Sequence, residues 1–406
     1  MTTPTQLSAG TPVSPATDPR TVRLAFIALI MGGFGIGVTE FVTMGLLPQI
    51  ADGVGVSIPT AGHTISAYAL GVVIGAPLIA TLGARAPRRA LLLSLIAVFA
   101  VGNALAALAP GYGTFIAARF FAGLPHGAFF GLASLVAVSL VPPGRRGRAV
   151  GTVMLGIPLA MIVGVPTATW MGQAVGWRTA YWAVALIGVL TFVLIRAWVP
   201  ITPADQDQSW RRELRVFGSL QVWLTLAVGS IGFGGMFAMY SYIAPTVTEV
   251  TGLAQAWVPV FLFVFGLGAI VGTWTGGRMA DWSILRSLVL NGAVMAVLLL
   301  VFTVTSQWVI PALVTLFAVS AVSGAWVIGM QMRLMSVAGQ AKTLGAALNH
   351  SALNLANALG AWLGGLAIAA GFGYTSPSLV GAGLASAGLL VLALSVLVHL
   401  RDTRSA

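Results

Sequence analysis

Twelve apolar runs, each long enough to cross a bilayer as a helix, constrain this chain more than any other feature. They lie near 24–48, 59–83, 90–109, 113–140, 149–173, 179–199, 217–246, 254–280, 287–305, 308–333, 343–370 and 378–399. A crossing takes about 20 apolar residues at the helical rise. In hydrocarbon the backbone must satisfy its own polar groups, so the runs read as helices and not as open strands. The 58% of hydrophobic residues and 7% of charged ones leave too little polar surface to coat a soluble globule of 406 residues. The expected fold class is all-α integral membrane.

The basic residues report orientation. With the N-terminus placed in the cytoplasm, 18 of the 20 Lys and Arg fall at inside segments, Arg119 and Arg178 being the exceptions. Such asymmetry puts both termini inside, and an even number of crossings agrees. The net charge of +11 is thereby accounted for without a nucleic-acid partner. Residues 1–20 are rich in Thr, Pro and Ser and lack a basic n-region, so they read as a disordered tail and not a cleaved signal.

Residues 200–215 form the longest polar stretch between runs and divide the chain into two sets of six. At an offset of 197, Gly71 matches Gly268, Gly75 matches Gly272, Arg89 matches Arg286, Gly127 matches Gly324 and Ala128 matches Ala325. One offset serving runs 2, 4, 8 and 10 points to a duplicated unit. The expected organisation is a six-helix bundle over 21–199, a cytoplasmic linker over 200–215, a second, pseudo-symmetric bundle over 216–400, and a tail over 401–406.

Several chemistries are missing. The chain has no cysteine, which removes disulfides and thiol nucleophiles. It has no GxxxxGK[ST] loop to hold ATP phosphates, and its four histidines show no metal-ligand spacing. No close acidic pair offers general acid–base work. Neither an enzyme nor a resident cofactor or metal is expected.

The polar residues at membrane depth carry the functional signal. Glu40 lies eight residues before Pro48, roughly 12 Å below the outer end of run 1. A carboxylate there costs several kcal/mol unless it is protonated, paired or wet. Arg119 lies at a similar depth, about 10 Å below the outer start of run 4 near Tyr112. If the two meet, they form either a proton switch or a static ion pair. His126 follows Arg119 by seven residues on the same helix face, where it serves as a proton relay, a substrate contact or a neutral core group.

His350, Asn354 and Asn357 form one polar stripe along run 11, with spacing i, i+4, i+7. The stripe points to a cavity, with interhelical hydrogen bonding as the alternative. Met236, Met239, Tyr240 and Tyr242 on run 7, with Trp326 and Met330 on run 10, could line an adaptable pocket or simply pack.

Two segments resemble a known family: Thr39-Glu40-Phe41 with Gly45-Leu46-Leu47-Pro48, and Gly123-Leu124-Pro125-His126-Gly127-Ala128-Phe129-Phe130-Gly131. Together they resemble the twelve-helix drug:proton antiporters of the major facilitator superfamily, in the branch of arabinose and sugar efflux permeases and chloramphenicol exporters. The resemblance implies that helices 1, 4, 7 and 10 line a central cavity. It makes Glu40 the coupling acid and Arg119 its partner; His126 is the further candidate for proton coupling, and Phe129, in the same segment, is a candidate substrate contact.

It also marks two loops as gates, one around Arg85 and Arg89 and its copy around Asp281 and Arg286. The family's first-loop aspartate is Ala84 here, so half of the expected latch is missing. The helix 5 signature spans Gly156 to Gly164, but its usual Gly-Pro pair reads Gly164-Val165-Pro166.

The function these readings imply is proton-coupled export of a small amphipathic compound, a phenicol-type drug or a sugar-like metabolite. The expected location is a bacterial cytoplasmic membrane. The expected partners are the substrate, protons and the lipid bilayer, with the protein a monomer. Import by proton symport or uniport, and ligand binding without transport, remain as alternatives.

Overall fold

The computed structural model describes residues 18–82, 86–201, 218–339 and 342–405. Twelve helices in it are long and apolar enough to cross a membrane. They are α1 (Pro19–Gly45), α2 (Ile58–Ala76), α3 (Arg88–Leu108), α4 (Tyr112–Ser139), α5 (Arg146–Val175), α6 (Arg178–Trp198), α7 (Leu220–Tyr240), α8 (Gln255–Trp282), α9 (Ile284–Thr305), α10 (Val309–Val337), α11 (Leu348–Ala369) and α12 (Ser376–Val398). Residues 1–17, most of the expected linker (202–215) and Arg85 lie outside the described residues. The last helix continues past its apolar span to Ser405, where a tail was expected from 401.

The helix ends follow local chemistry. Asp18 caps α1 by accepting a hydrogen bond from the Arg20 backbone N–H (3.2 Å), with Pro19 in the first turn. Ser283 turns α8 into α9 in the same way, accepting from the Arg286 N–H (3.4 Å). Beyond Gly45 a short helix, Leu47–Val54, carries Pro48 and stops at Gly55, whose φ of +71° suits glycine. Proline interrupts α4 between Gly123 and Pro125. In α5 a wide turn at Ala160–Gly164 precedes Pro166, which has no N–H to continue the ladder.

The internal repeat is visible as one helix crossing made twice. A side chain on Gly71 would run into the Phe120 carbonyl, and one on Gly268 into that of Phe317. Gly75 faces the Leu124 carbonyl as Gly272 faces that of Ala321. Each contact in the α2–α4 crossing therefore reappears 197 residues later in the α8–α10 crossing, at the offset found in the sequence. Small residues let the backbones approach here, and such close packing drives helix association where apolar lipid removes the hydrophobic driving force.

One apolar core lies wholly between Ala25 and Val199. A second fills the C-terminal bundle and extends onto Phe41, Met44, Ile65 and Met161 of the first, so the bundles share packing at their interface. At the end away from the chain termini, Gln255 binds both Gln49 (2.8 Å) and Gln173 (3.0 Å), and Ser66 of α2 donates to the Ala358 carbonyl of α11 (2.9 Å). Midway down, Gly266 of α8 lies against the Met161 carbonyl of α5. Gly277, about three turns further on the same face of α8, stands in open space. The bundles are thus bonded to one another at the distal end, and α5 and α8 touch midway along their length.

Candidate functional site

The polar groups of the N-terminal bundle converge on Arg119, which is fully buried. Its guanidinium donates from Nη1 to Thr39 Oγ1 (2.9 Å) and from Nη2 to the Thr39 carbonyl (3.0 Å). It lies 4.3 Å over the Tyr68 ring and 5.5 Å from that of Tyr181, while Nε has no partner. Hydrogen bonds from a charged group contribute about 1.5–3 kcal/mol each. A desolvated cation over an aromatic face adds about 2 kcal/mol. Together these neutral groups replace the hydration the cation has lost.

Thr39 is itself held. Its hydroxyl donates to Asn103 Oδ1 (2.5 Å), and Asn103 Nδ2 donates to the Phe99 carbonyl one turn back on α3 (2.8 Å). Nearby, the hydroxyls of Thr43 and Tyr181 share a hydrogen bond of 2.7 Å. Helices α1, α2, α3, α4 and α6 thus all contribute to one polar cluster inside an otherwise apolar bundle.

Glu40 follows Thr39 on α1 and is the one buried carboxyl among the described residues, at 6% exposure. It lies within electrostatic reach of Arg119 and Tyr68. Among the described residues, no hydrogen bond or ion pair reaches it. The direct Glu40–Arg119 pairing that the sequence allowed is not formed: the guanidinium's two Nη groups bond to Thr39, and its Nε is left without a partner. Arg119 and His126 do share a face as expected, since His126 Nδ1 hydrogen-bonds the hydroxyl of the same Tyr68 (3.1 Å).

Across the bundle interface, His350 of α11 lies 6.5 Å from the His126 ring and stacks on Phe130 at 5.7 Å. The His350 end of the stripe seen in the sequence therefore faces the opposite bundle. Asn357 is fully buried with both carboxamide atoms unpartnered, and Asn354 leaves Oδ1 free while Nδ2 returns to the His350 carbonyl (3.0 Å). Tyr240 stacks on Phe265 (3.9 Å) and meets Phe41 of α1 edge-on (6.2 Å), its hydroxyl also unpartnered. Phe237 stacks on the same Phe41 (6.5 Å).

The remaining expected residues sit elsewhere. Phe129 packs against Gly32 in the α1–α4 contact, so its neighbour Phe130 is the aromatic at the interface. Trp326 fills the space between Gly232 of α7 and Gly292 of α9, and Met330 reaches Gly229. Met236 lies in the same C-terminal core. Trp326 Nε1 is buried without a partner. At the terminal end, Arg89 donates to the Arg196 carbonyl, and Arg286 lies 5.5 Å from the Trp282 ring. Asp281 is exposed and makes no ion pair with a described residue. The gate residues that can be seen do not form a latch in this conformation.

Thr39 and Phe130 entered the sequence reading only as members of the two family segments, with no role given, and Tyr68, Asn103 and Tyr181 were not singled out. Asn103 is an amide inside an apolar run, which was the available signal.

The Major Facilitator Superfamily description matches residues 29–361. The inner membrane transport protein YdhP of Escherichia coli (strain K12) is 41% identical over 374 residues, covering 92% of this chain and 96% of the relative. A chloramphenicol resistance protein of Streptomyces lividans is 32% identical over 362 residues, covering 88% of this chain and 90% of the relative. The crystal structure of a D-xylose-proton symporter matches with a TM-score of 0.74 over 92% of this chain and 97% of its own, at 17% identity. At that identity the likeness is one of fold.

Proposed function

Because the chain belongs to the Major Facilitator Superfamily of membrane transporters, we propose that it is a proton-coupled exporter of a small amphipathic compound, working by alternating access. The observation that carries this reading is the isolated Glu40 carboxyl, buried in the N-terminal bundle near a cation that does not bond it. Such a group changes charge when it gains or loses a proton, and the change falls one residue from Phe41, which packs on Phe237 and Tyr240 of the other bundle. A transporter needs a ligand that binds its two facing states differently, and a proton on Glu40 supplies that difference.

The substrate side of the reading rests on the C-terminal bundle and on Phe41 of α1, which packs against it. Asn357, Asn354 and Tyr240 offer neutral hydrogen-bonding groups, and Phe41, Phe237 and Phe265 offer apolar faces. A phenicol-type drug or a sugar-like metabolite has that mixture of hydroxyl or amide groups and apolar surface. The relatives named for inner-membrane transport and for chloramphenicol resistance support export from a bacterial cytoplasm. The arginine distribution supports cytoplasmic termini.

A compound-susceptibility panel in an efflux-deficient bacterial host tests the proposal. The intact protein raises the inhibitory concentration of at least one neutral amphipathic compound, and Glu40→Gln at equal membrane abundance abolishes the effect. Resistance that survives Glu40→Gln unchanged would sink the coupling role.

A further inference from the structure

Threonines in this protein usually return their hydroxyl to their own helix. Thr191, Thr225, Thr273 and Thr315 each donate to the carbonyl four residues back. Thr39 does not. It donates across to Asn103 on α3 and accepts from Arg119 on α4.

The direction of each bond is forced. The Phe99 carbonyl can only accept, so Asn103 must turn its Nδ2 toward it and its Oδ1 toward Thr39. Asn103 Oδ1 can only accept, so the Thr39 hydroxyl spends its one proton there. Its lone pairs are then left for Arg119, which can only donate. The Thr39 carbonyl takes the second guanidinium donor. The cation is docked bidentately on neutral oxygens, one residue from the carboxyl it would otherwise seek.

We infer that Thr39 and Asn103 are positioning residues that hold the Arg119 guanidinium off Glu40, and so set the pH at which Glu40 takes up and releases its proton. This rests on the proton-coupling reading of Glu40. When the dock is intact, Arg119 acts on Glu40 only through space. When the dock is removed, the guanidinium is free to bond the carboxylate and favour its charged form. The other titratable groups facing the site are Tyr68 on α2, His126 on α4, Tyr181 on α6, Tyr240 on α7 and His350 on α11. All of them stay in place in the variants below.

Infrared titration of the full-length protein in lipid nanodiscs tests the inference without a known substrate. The protonated-carboxyl band of Glu40 is identified by its loss in Glu40→Gln. In Thr39→Val, which keeps shape and loses the hydroxyl, its midpoint moves to more acidic pH by about 1 unit or more, as expected when a cation closes on a carboxylate. Asn103→Leu, on a different helix, moves it the same way and decides the matter if Thr39→Val does not fold. Thr39→Ser restores the original midpoint.

A role confined to packing lowers thermal stability in both variants and leaves the midpoint where it was, which overturns the inference. A shift to more alkaline pH overturns it too. The absence of any titrating band that depends on Glu40 contradicts the proton-coupling reading itself, and is distinct from a Glu40 band that titrates identically in every variant.

Discussion

Arg119 keeps its charge inside the bundle because the shape of a guanidinium suits its surroundings: two Nη donors for Thr39 and a flat face for Tyr68. Lysine has one compact ammonium and no planar fork, so it cannot reproduce that arrangement. Arg119→Lys therefore lowers transport by about tenfold or more even though the charge is kept, given the size of one charged hydrogen bond. Transport of an identified compound into inverted vesicles, normalised to protein content, measures this. Unimpaired transport would mean that charge alone is required. Glu40 and Arg119 were legible in the sequence because charges in apolar runs are rare and costly. Thr39, Tyr68 and Asn103 were not, since neutral polar residues in helices usually bond to their own backbone. Phe129 and Phe130 are adjacent in sequence, and only the packing of α4 on α1 decides which of them faces His350.

Two crossings of the same construction hold each bundle together at the level of its helices. In both, a glycine lies against a carbonyl of the partner helix, with no flexible side chain to move aside. Gly75→Val and Gly272→Val each force the backbones apart and cost about 1–3 kcal/mol or more. Both lower the melting temperature of the purified protein by several degrees, whereas Gly277→Ala, whose side chain enters open space, leaves it unchanged. Equal melting temperatures for all three would contradict the close-contact account. The offset of 197 makes this repeat legible in the sequence alone, because the small-residue requirement is written directly into residue type. The breaks near Pro125 and Pro166 were foreseeable as positions, but the wide turn at Ala160–Gly164 depends on how the neighbouring helices fill the gap.

The bundles bond to one another at the end away from the termini, while nearer the termini a side chain at Gly151 of α5 or Gly277 of α8 would meet nothing, so these two positions suit a test of the rocking that the proposed alternating access requires. The chain contains no cysteine, so labels can be introduced without removing native thiols. Spin labels at Gly151→Cys and Gly277→Cys report separation of α5 and α8 at the terminal end. Two distance populations that exchange weight with pH are expected, and Glu40→Gln removes the pH dependence. A single pH-independent distance would show that the bundles do not rock in response to this proton.

The most direct test of the central claim uses inverted membrane vesicles and a compound chosen from the susceptibility panel. Imposing an interior-acid gradient drives accumulation of that compound by the intact protein, and collapsing the gradient releases it. Glu40→Gln, present at equal abundance, shows no gradient-driven accumulation. Accumulation by Glu40→Gln equal to that of the intact protein would contradict the account.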